Sequence, residues 1–238
     1  MKSVKLMNRI DTKYLMRLSD LPALLERAAP LYFVQDVDGS RTPTYDTIYY
    51  DTPLCDMYLR HHDHQLRRQK IRTRNYVESR LWFLEVKNKT NTGRTKKKRV
   101  QIAPEAFNDV KNDVQGFEFL EMRSHYDPLS LTPHVRTHFS RVTLVNKAMT
   151  ERITLDFGLK FENFRTGIIA ECPKLMIVEV KQDGAANSDI KDILLSMRVH
   201  PAKCSKYCIG TALTNPNVKS NRFKQKLRLI EKIVDHGV

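Results

Sequence analysis

Basic residues two positions apart are the groups in this sequence best suited to chemistry. Arg72 and Arg74 form an R-x-R pair, and Glu85 with Lys87 forms an E-x-K pair. Because side chains two apart on a β-strand point to the same side of a sheet, the members of each pair can act on one ligand. Arginine holds phosphate oxygens through paired hydrogen bonds, and lysine acts as a point charge. The spacing therefore favours a site for a multiply charged phosphate.

The reaction that such a site suits is phosphoryl transfer. That reaction depends on charge neutralisation and in-line positioning, so arginine, lysine and one metal ion suffice without a Ser-His-Asp or Cys-His nucleophile. The composition agrees, because 41 Lys and Arg stand against 27 Asp and Glu, a formal net charge of +14. An anionic partner is expected. The sign alone does not distinguish nucleic acid, acidic lipid, nucleotide and polyphosphate.

Eight segments with strand character must position these residues. They lie at 8–16, 45–53, 67–76, 81–89, 93–102, 138–146, 151–161 and 174–182. Helices are predicted at 19–28, where Ser19 is the N-cap, and at 187–197, where Ser188 is the N-cap. A further helix is expected to open at Pro104, and a short helix around Tyr58 stays an open alternative.

Polar and apolar residues alternate along most of these segments. Arg152, Thr154 and Asp156 alternate with apolar residues, as do Glu179 and Lys181. One such strand fits a sheet with a solvated face, but this density of charge on six strands favours a closed barrel with a polar interior. Unpaired buried cations are costly, so the interior must be wide, wet and occupied by anions. We predict an α+β fold: a closed eight-stranded antiparallel β-barrel tunnel with a charged lumen, flanked by helices.

The segment 93–102 carries the densest charge. Alternation there predicts that Arg94, Lys96 and Lys98 face the lumen and that Lys97 lies on the opposite face, where a change should matter less. The run at 96–99, KKKR, is the part most like a nucleic-acid-binding segment. No aromatic residues for base stacking are interleaved with it, so no nucleic-acid partner is expected.

Histidine and cysteine offer no competing site. His61, His62 and His64 lack a second ligand pair and are predicted to be surface histidines beside a turn. Cys204 and Cys208 have helical spacing and are predicted to pack in the core. The four cysteines are too few and scattered for a disulfide scaffold, and no apolar run suits a membrane span or a signal peptide. A cytoplasmic protein is expected.

The segment 222–234, RFKQKLRLIEKIV, has the pattern of an amphipathic helix. Phe223, Leu227, Ile230 and Val234 form one stripe, with lysine and arginine opposite. Two units are predicted, a tunnel domain at 1–212 and a basic amphipathic C-terminal helix at 213–238. Such a helix can lie on an acidic membrane or, more commonly, pack on its own barrel.

Eight motifs in one order resemble the VTC (vacuolar transporter chaperone) polyphosphate polymerase domain, a branch of the triphosphate tunnel metalloenzymes, also called CYTH proteins. The motifs are RIDTKY at 9–14, YYDTP at 49–53, KIRTRNY at 70–76, FLEVKNK at 83–89, SRVTLVN at 140–146, ERITLDFGL at 151–159, IVEVK at 177–181 and KCSKYCIG at 203–210. Each motif alone is weak, and the ordered set is specific. The resemblance implies an eight-stranded tunnel that binds ATP or another triphosphate and passes the γ-phosphoryl group to a growing polyphosphate chain.

The resemblance also implies roles for individual residues. Substrate would be bound by Lys13, Arg72, Arg74, Lys87, Arg141, Arg152, Lys203, Ser205 and Lys206. Of these, the residues expected to act in catalysis are Lys87, Arg141, Arg152, Lys203 and Lys206. Glu179 in IVEVK would hold Mn²⁺ or Mg²⁺, which carboxylates and triphosphate oxygens suit.

One departure from the wider superfamily concerns the metal. Its first strand reads E-x-E-x-K, whereas Arg9, Asp11 and Lys13 stand here. The polymerase branch shows the same loss of the first acid, so the departure favours that branch and leaves metal binding dependent on Glu179. Without the resemblance, Glu179 could equally be an ion-pair partner of a neighbouring cation, and Glu85 is expected to be a charge partner within the lumen.

Three functions stay open at this point. The first is a metal-dependent polyphosphate polymerase, with a membrane-protein partner that would hold it at the inner face of a membrane. The second is a tunnel triphosphatase that passes the same phosphoryl group to water. The third is a non-catalytic module that binds polyphosphate or inositol phosphates.

Overall fold

The computed structural model describes residues 9–184 and 187–235. Within these ranges the strands are β1 Arg9–Arg17, β2 Tyr32–Val34, β3 Thr44–Asp51, β4 Arg68–Tyr76, β5 Leu81–Lys89, β6 Thr95–Gln101, β7 Thr132–Asn146, β8 Glu151–Asn163, β9 Ile169–Cys172 and β10 Leu175–Asp183. The α-helices there are α1 Leu21–Ala28, α2 Asp56–His62, α3 Val114–Arg123, α4 Asp189–Ser196, α5 Lys206–Thr214 and α6 Lys224–Asp235.

The strands form one antiparallel sheet. Its main path runs β1-β10-β8-β7-β3-β4-β5-β6, while β2 pairs with β7 and β9 with β8. The eight strands predicted from alternation are the eight members of this path, so the α+β class and the antiparallel sheet are confirmed. The sequence does not predict β2 and β9, because three or four residues are too few to show an alternating pattern.

Hydrogen-bonded closure of the barrel is the part of the fold prediction that is wrong. In the described part of the chain, the end strands β1 and β6 do not pair with each other. The segment that follows residue 200 forms hydrogen bonds with the edge of β1 that does not face β10. The Ala202 N–H donates to the Lys13 carbonyl at 2.7 Å, and Tyr14 pairs with Pro201. The lysine-rich strand β6 is exposed along most of its length, as is typical of an unpaired edge.

Two helices cover the outer face of one half of the sheet. Leu24 of α1 and Ile190 and Leu194 of α4 are fully buried against apolar residues of β1, β7, β8 and β10. Both helices confirm the predictions at 19–28 and 187–197, and Ser188 is the N-cap of α4, but the N-cap of α1 is Asp20 because Ser19 lies in a 3-10 turn at Leu18–Asp20. Burial of these alternate apolar residues leaves the opposite, charged faces of the four strands pointing away from the helices.

The second core surrounds α2 and α5. Gly210 lets α5 approach β7 and β8 closely, because a Cβ atom there would come within 2.5 Å of Phe161 and 3.0 Å of Val135. The short helix at Tyr58 exists as α2. At Pro104 the chain forms only a 3-10 turn, Pro104–Phe107, and the α-helix of this region is α3.

The C-terminal helix α6 packs on the sheet. It lies against β1 and β10 and buries Ile230 and Ile233, and Phe223 just before it is also buried. The division proposed after residue 212 lies within α5, while residues 1–8 and 236–238 of the two predicted units lie outside the described residues. None of the described helices is long and apolar enough to cross a membrane.

Candidate active site

The sheet curls so strongly that distant strands meet across its charged face. Lys13 is on β1 and Lys70 on β4, with four strands between them in the sheet order. Burial lowers the pKa of Lys70, and repulsion from Lys13 is among the forces that lower it further. Ser205, beyond the segment on the β1 edge, accepts a hydrogen bond from Lys70 Nζ at 2.8 Å. The charged face is therefore concave.

The strand register determines which residues lie on this concave face, since residues directly opposite each other on paired strands share a face. The pairs include Lys13 with Glu179, Lys181 with Arg152, Arg141 with Asp156, Lys70 with Lys87, and Arg72 with Glu85. The carboxylates of the concave face include Asp11, Glu85, Asp156 and Glu179, with Asp183 at the end of β10. Its cations, with Lys206 added from α5, include Lys13, Lys70, Arg72, Arg74, Lys87, Lys97, Arg99, Arg141, Arg152 and Lys181, and Arg68 and Lys89 share this face further along β4 and β5.

Glu85 is held between two cations. Its carboxylate lies 2.6 Å from Arg72 Nη2 and 2.5 Å from Lys97 Nζ, and its side chain is fully buried. Burial would raise the pKa of Glu85, but Arg72 in particular outweighs it and keeps the pKa far below the ordinary value. The prediction that Glu85 is a charge partner is confirmed.

Asp156 is held in the same way by Arg141 and Lys206. Arg141 donates two hydrogen bonds to the carboxylate, at 2.6 Å from Nε and 2.9 Å from Nη2, and Lys206 Nζ donates a third. These two cations outweigh burial and keep the pKa of Asp156 well below its ordinary value. The pair fixes the plane of the Arg141 guanidinium on the concave face.

Glu179 is the third carboxylate held between two cations. Its Oε1 lies 3.2 Å from Lys13 Nζ, and its Oε2 lies 2.9 Å from Lys181 Nζ. Burial alone would raise the pKa of Glu179, but the two lysines hold it well below the ordinary range. Burial, only partly opposed by Glu179, lowers the pKa of Lys181 to about 8. The ion-pair interpretation of Glu179 thus describes this structure, in which both carboxylate oxygens face lysines.

Two further cations face no such carboxylate among the described residues. The guanidinium of Arg72, followed by burial, lowers the pKa of Lys87 well below its ordinary value. Arg74 donates to Thr47 Oγ1 at 3.0 Å, and its Cζ lies 5.4 Å from the ring centroid of Tyr45 and 5.9 Å from that of Phe139. Aromatic rings therefore fix Arg74 in place while burial lowers its pKa.

Of the remaining predicted residues, Lys203, Ser205 and Lys206 lie around the start of α5, and Arg152 lies on β8. Lys203 is exposed, beside the edge of β1. Ser205 is the N-cap of α5, since its side chain accepts from the Cys208 N–H at 3.4 Å. Arg152 is opposite Lys181 on the neighbouring strand. The structure thus brings Lys206 and Arg152 onto the concave face, leaves Lys203 exposed and gives Ser205 a capping role.

The predicted orientation of β6 is wrong. Lys97 is opposite Lys87 and Arg99 is opposite Glu85, so both share the concave face, whereas Lys96 and Lys98 lie on the other face. Arg94 precedes the strand. Both faces of this segment are basic, so alternation carries no polar-apolar contrast that could reveal which face turns inward.

Sequence reasoning also missed Lys70 and Lys181 as site residues. Each stands two residues from a predicted one, Lys70 from Arg72 and Lys181 from Glu179, so the spacing rule that selected the others could have found both. The sequence alone assigns no role to Asp156, because one of its two partners, Lys206, comes from a helix fifty residues further along the chain.

The prediction for the histidines fails in part. His62 is fully buried, with its ring nitrogens 2.8 Å from oxygens of Asp63 and Asn221. Cys204 and Cys208 are buried, as predicted. No group of three or more His, Cys, Asp or Glu within residues 9–184 and 187–235 could form a metal site.

A divalent metal ion on the concave face would meet no cluster of three carboxylates among the described residues. Glu179 and Asp11 lie on neighbouring strands and share that face. Mg²⁺ is commonly held by one or two carboxylates together with substrate phosphates and water. The donor set therefore suits a metal that arrives with a triphosphate, and does not suit a cage made of protein groups alone.

Solved structures share this fold at low sequence identity. A candidate adenylyl cyclase from Hippeastrum, described as having a dominant triphosphatase activity, aligns with TM-score 0.54 and 13% identity over 86% of this chain and 97% of its own. A candidate adenylate cyclase from Bacillus halodurans gives TM-score 0.53 and 13% identity over 84% and 96%. One from Vibrio parahaemolyticus gives 0.50 and 12% over the same shares. At these identities the likeness concerns the fold.

Sequence comparison is more specific. No curated protein matches the chain. The family model described as the VTC domain matches residues 8–215, which include every strand of the sheet and all of α5. The match covers most of the chain and contains each residue of the concave face described above. The chain belongs to the VTC domain family.

Proposed function

We propose that this protein binds a nucleoside triphosphate such as ATP on its concave face and transfers the γ-phosphoryl group to a growing polyphosphate chain. The observation that carries the proposal is an excess of positive charge on this face, where Arg72, Arg74 and Lys181 are buried. Glu85, Asp156 and Glu179 are each shared by two cations, and Arg74 and Lys87 are additional to those pairs. Such an excess is costly unless an anion occupies the face.

The ion pairs prepare the face for phosphate oxygens. Arg72 and Arg141 are oriented by Glu85 and Asp156, and Arg74 is oriented by aromatic rings. Donors that are fixed before the substrate arrives need no reorganisation when charge develops on the transferring group. These arginines would hold the triphosphate, and Lys87 and Lys206 would add positive charge along it.

Glu179, with Asp11 beside it, would hold a Mn²⁺ or Mg²⁺ ion that arrives with the triphosphate. A divalent ion bound there would neutralise negative charge on the phosphoryl group. Lys13 and Lys181 occupy the carboxylate oxygens of Glu179 in this structure. Binding of the metal would require at least one lysine to turn from Glu179 toward a phosphate oxygen, which an ammonium group on a flexible chain can do.

Exposed cations at the rim favour a chain as the acceptor. Lys203 is exposed, and Lys89 is close enough that repulsion from Lys203 contributes, after burial and Arg68, to lowering the pKa of Lys89. A triphosphate on the buried cations would leave these groups available for the phosphates of a second, longer anion. Water as the acceptor is the alternative, favoured by the fold shared with the Hippeastrum protein described as a triphosphatase.

The test is incubation of the purified protein with ATP and Mn²⁺, with polyphosphate chains followed on gels and free phosphate measured in parallel. The wild type should produce chains, and Arg74→Ala should produce none. Lys98→Ala, on the outer face of β6, is the matched control and should retain activity.

The two alternative functions predict different results in this assay. Release of phosphate without chains would identify a triphosphatase, and binding of ATP without turnover would identify a binding module. Full activity of Arg74→Ala would show that the reaction does not take place on the concave face.

A further inference from the structure

A second set of reactive side chains lies away from the concave face, at Cys55. This residue precedes α2 and lines a cleft of about 560 Å³. Apolar side chains of the cleft are Leu54, Leu59 and Val218, and its polar ones include Arg165, Asn217 and Lys219. The cleft is thus large enough for a small organic molecule and has two cationic groups on its wall.

Cys55 is the first member of a chain of contacts. Its Sγ lies 3.3 Å from His134 Nε2, and His134 Nδ1 lies 3.3 Å from Tyr207 Oη. Tyr207 donates its hydroxyl proton to Asp51. Asp51 also accepts from the backbone N–H groups of Thr52, Met57 and Tyr58, at 2.7 to 2.9 Å.

This network fixes the proton positions. Because a carboxylate surrounded by N–H donors accepts only, the Tyr207 proton points to Asp51, and the Tyr207 oxygen accepts from His134 Nδ1–H. Nε2 of His134 is then the free acceptor, and it faces the Cys55 thiol. The arrangement is that of a cysteine beside an oriented histidine base.

The pair rests in its neutral form. Burial lowers the pKa of His134 to about 4, and burial raises the pKa of the Cys55 thiol. The thiol proton therefore passes to His134 only as the sulfur forms a new bond. Arg165 Nη1 lies 3.7 Å from Sγ, where its charge stabilises the negative charge that develops on sulfur during that step.

We propose that Cys55 is a modification site for small anionic disulfides, with which it forms a mixed disulfide. The Cys55 proton passes to His134 Nε2 while Sγ attacks one sulfur of the disulfide. The new S–S bond forms as the old one breaks, and the departing thiolate takes the proton from His134. No further oxidant is required, since the disulfide is reduced as Cys55 is oxidised.

The cleft determines the class of disulfide. Arg165 and Lys219 attract carboxylates of the reagent, and the amide of Asn217 can bind a peptide-like backbone. All four cysteines are buried, Cys55 with 7% of its surface exposed, and of the four only Cys55 lines this cleft beside a histidine and an arginine. Selectivity for Cys55 is therefore expected in the folded protein, independently of the reaction on the concave face.

The experiment is mass mapping of the native protein after timed exposure to glutathione disulfide or to cystamine, a cationic disulfide. Cys55 should be the first cysteine to be modified. Each rate constant is divided by the rate constant of the same disulfide with a free thiol in solution. After this correction, glutathione disulfide should react with Cys55 about fivefold faster or more than cystamine, the size of effect expected from one or two nearby cations. His134→Gln should slow the reaction, and Arg165→Gln should reduce the preference for the anionic reagent. Cys172→Ser is the control and should change neither rate.

Two results would overturn the proposal. One is a wild-type protein in which Cys55 reacts no faster than the other three cysteines, or shows no preference for the anionic disulfide. The other is a folded His134→Gln variant, checked by its melting temperature, that reacts as fast as the wild type. The comparison of reagents on the wild type needs no variant and decides the matter if His134→Gln fails to fold.

Discussion

Lys97 Nζ lies 2.5 Å from Oε1 of Glu85, on the strand that precedes it. The contact places Lys97 on the concave face, with Lys96 and Lys98 on the other side of β6. Although β6 is an exposed edge strand, every second residue along it therefore faces the charged network. Substitutions along β6 should therefore alternate in their effect.

Lys97→Ala should lower turnover of the triphosphate by about tenfold or more, because it removes one charge-assisted contact from the carboxylate that orients Arg72. Lys96→Ala, its neighbour on the outer face, should stay close to the wild type. Steady-state kinetics on the two purified variants make the comparison. Equal losses in both would contradict the register of β6.

Lys87→Met should stabilise the free protein and weaken binding of the triphosphate. The lysine is repelled by Arg72 and has no carboxylate partner among the described residues, so its removal relieves repulsion when no anion is present. A rise in melting temperature of roughly 2–4 °C per kcal/mol of relief is expected for a chain of this size. Thermal melts with and without ATP test both effects.

The control for Lys87 is Lys98→Met, which removes a lysine from the outer face of β5 and β6. It should change neither the melting temperature nor the shift that ATP produces. A Lys87→Met protein that melts lower than the wild type would indicate that Lys87 has a stabilising role.

The sequence predicts the strands of the main sheet well, because one face of each is apolar and the other charged. It does not predict α5, whose segment KYCIGTALT is buried on several sides and shows no polar stripe. The packing that admits this helix depends on Gly210 against Phe161, a contact between residues far apart in the chain. Alternation carries no information about such contacts.

The same limit applies to the candidate site: the sequence indicates single residues but not their contacts. Spacing and the family resemblance point to Arg72, Arg141 and Glu179, but not to the way in which Glu85, Asp156 and Glu179 are each shared by two cations. Asp156 shows why: Arg141 comes from the adjacent strand and Lys206 from a helix fifty residues further along. Pairing between a strand and a distant helix is a property of the folded chain alone.

Glu85→Gln should destabilise the free protein by about 3 kcal/mol, as expected when one partner of a buried ion pair is removed. Arg72 and Lys97 would then face each other without a carboxylate between them. Inorganic triphosphate should recover part of the loss, since an anion that binds only the folded state stabilises it. Denaturant unfolding with and without triphosphate measures this.

Glu121→Gln is the matched control for Glu85, because Glu121 is exposed on α3. Its free energy of unfolding should be that of the wild type within about 0.5 kcal/mol. If Glu85→Gln were equally harmless, the buried network around Arg72 would contribute nothing to the stability of the face.

Glu179→Gln should retain ATP binding and lose metal-dependent turnover. The triphosphate would be held mainly by arginine and lysine, whereas the metal acts on charge in the transition state. Removal of one carboxylate from a face rich in cations should even tighten the complex with ATP in the absence of metal. Titration of ATP with and without Mn²⁺, beside a turnover assay, separates the two effects, with the exposed Glu171→Gln as control. Normal turnover of Glu179→Gln at limiting Mn²⁺ would show that Glu179 serves only its lysine pairs.

The affinity for a non-hydrolysable ATP analogue should fall as the pH rises above about 8, the pKa to which burial lowers Lys181. Bound phosphates favour the ammonium form, so the pKa of Lys181 is higher in the complex than in the free protein. Below pH 8 the group is charged in both states and adds no pH dependence. Above it the free protein has lost a proton that the complex keeps, which weakens binding by at most about tenfold per pH unit.

The same lysine has the opposite effect on folding over that window. An unfolded lysine keeps its proton up to its ordinary pKa of 10.5, so between pH 8 and that value Lys181 makes the free protein more stable as the pH rises. Lys181→Gln should flatten both slopes, and the part of the binding slope that remains would come from Lys87, whose pKa is also lowered. Titration calorimetry and melting curves between pH 7 and pH 10 give the two slopes. A wild-type affinity that stays constant or rises from pH 8 to pH 10 would place Lys181 away from the bound phosphates.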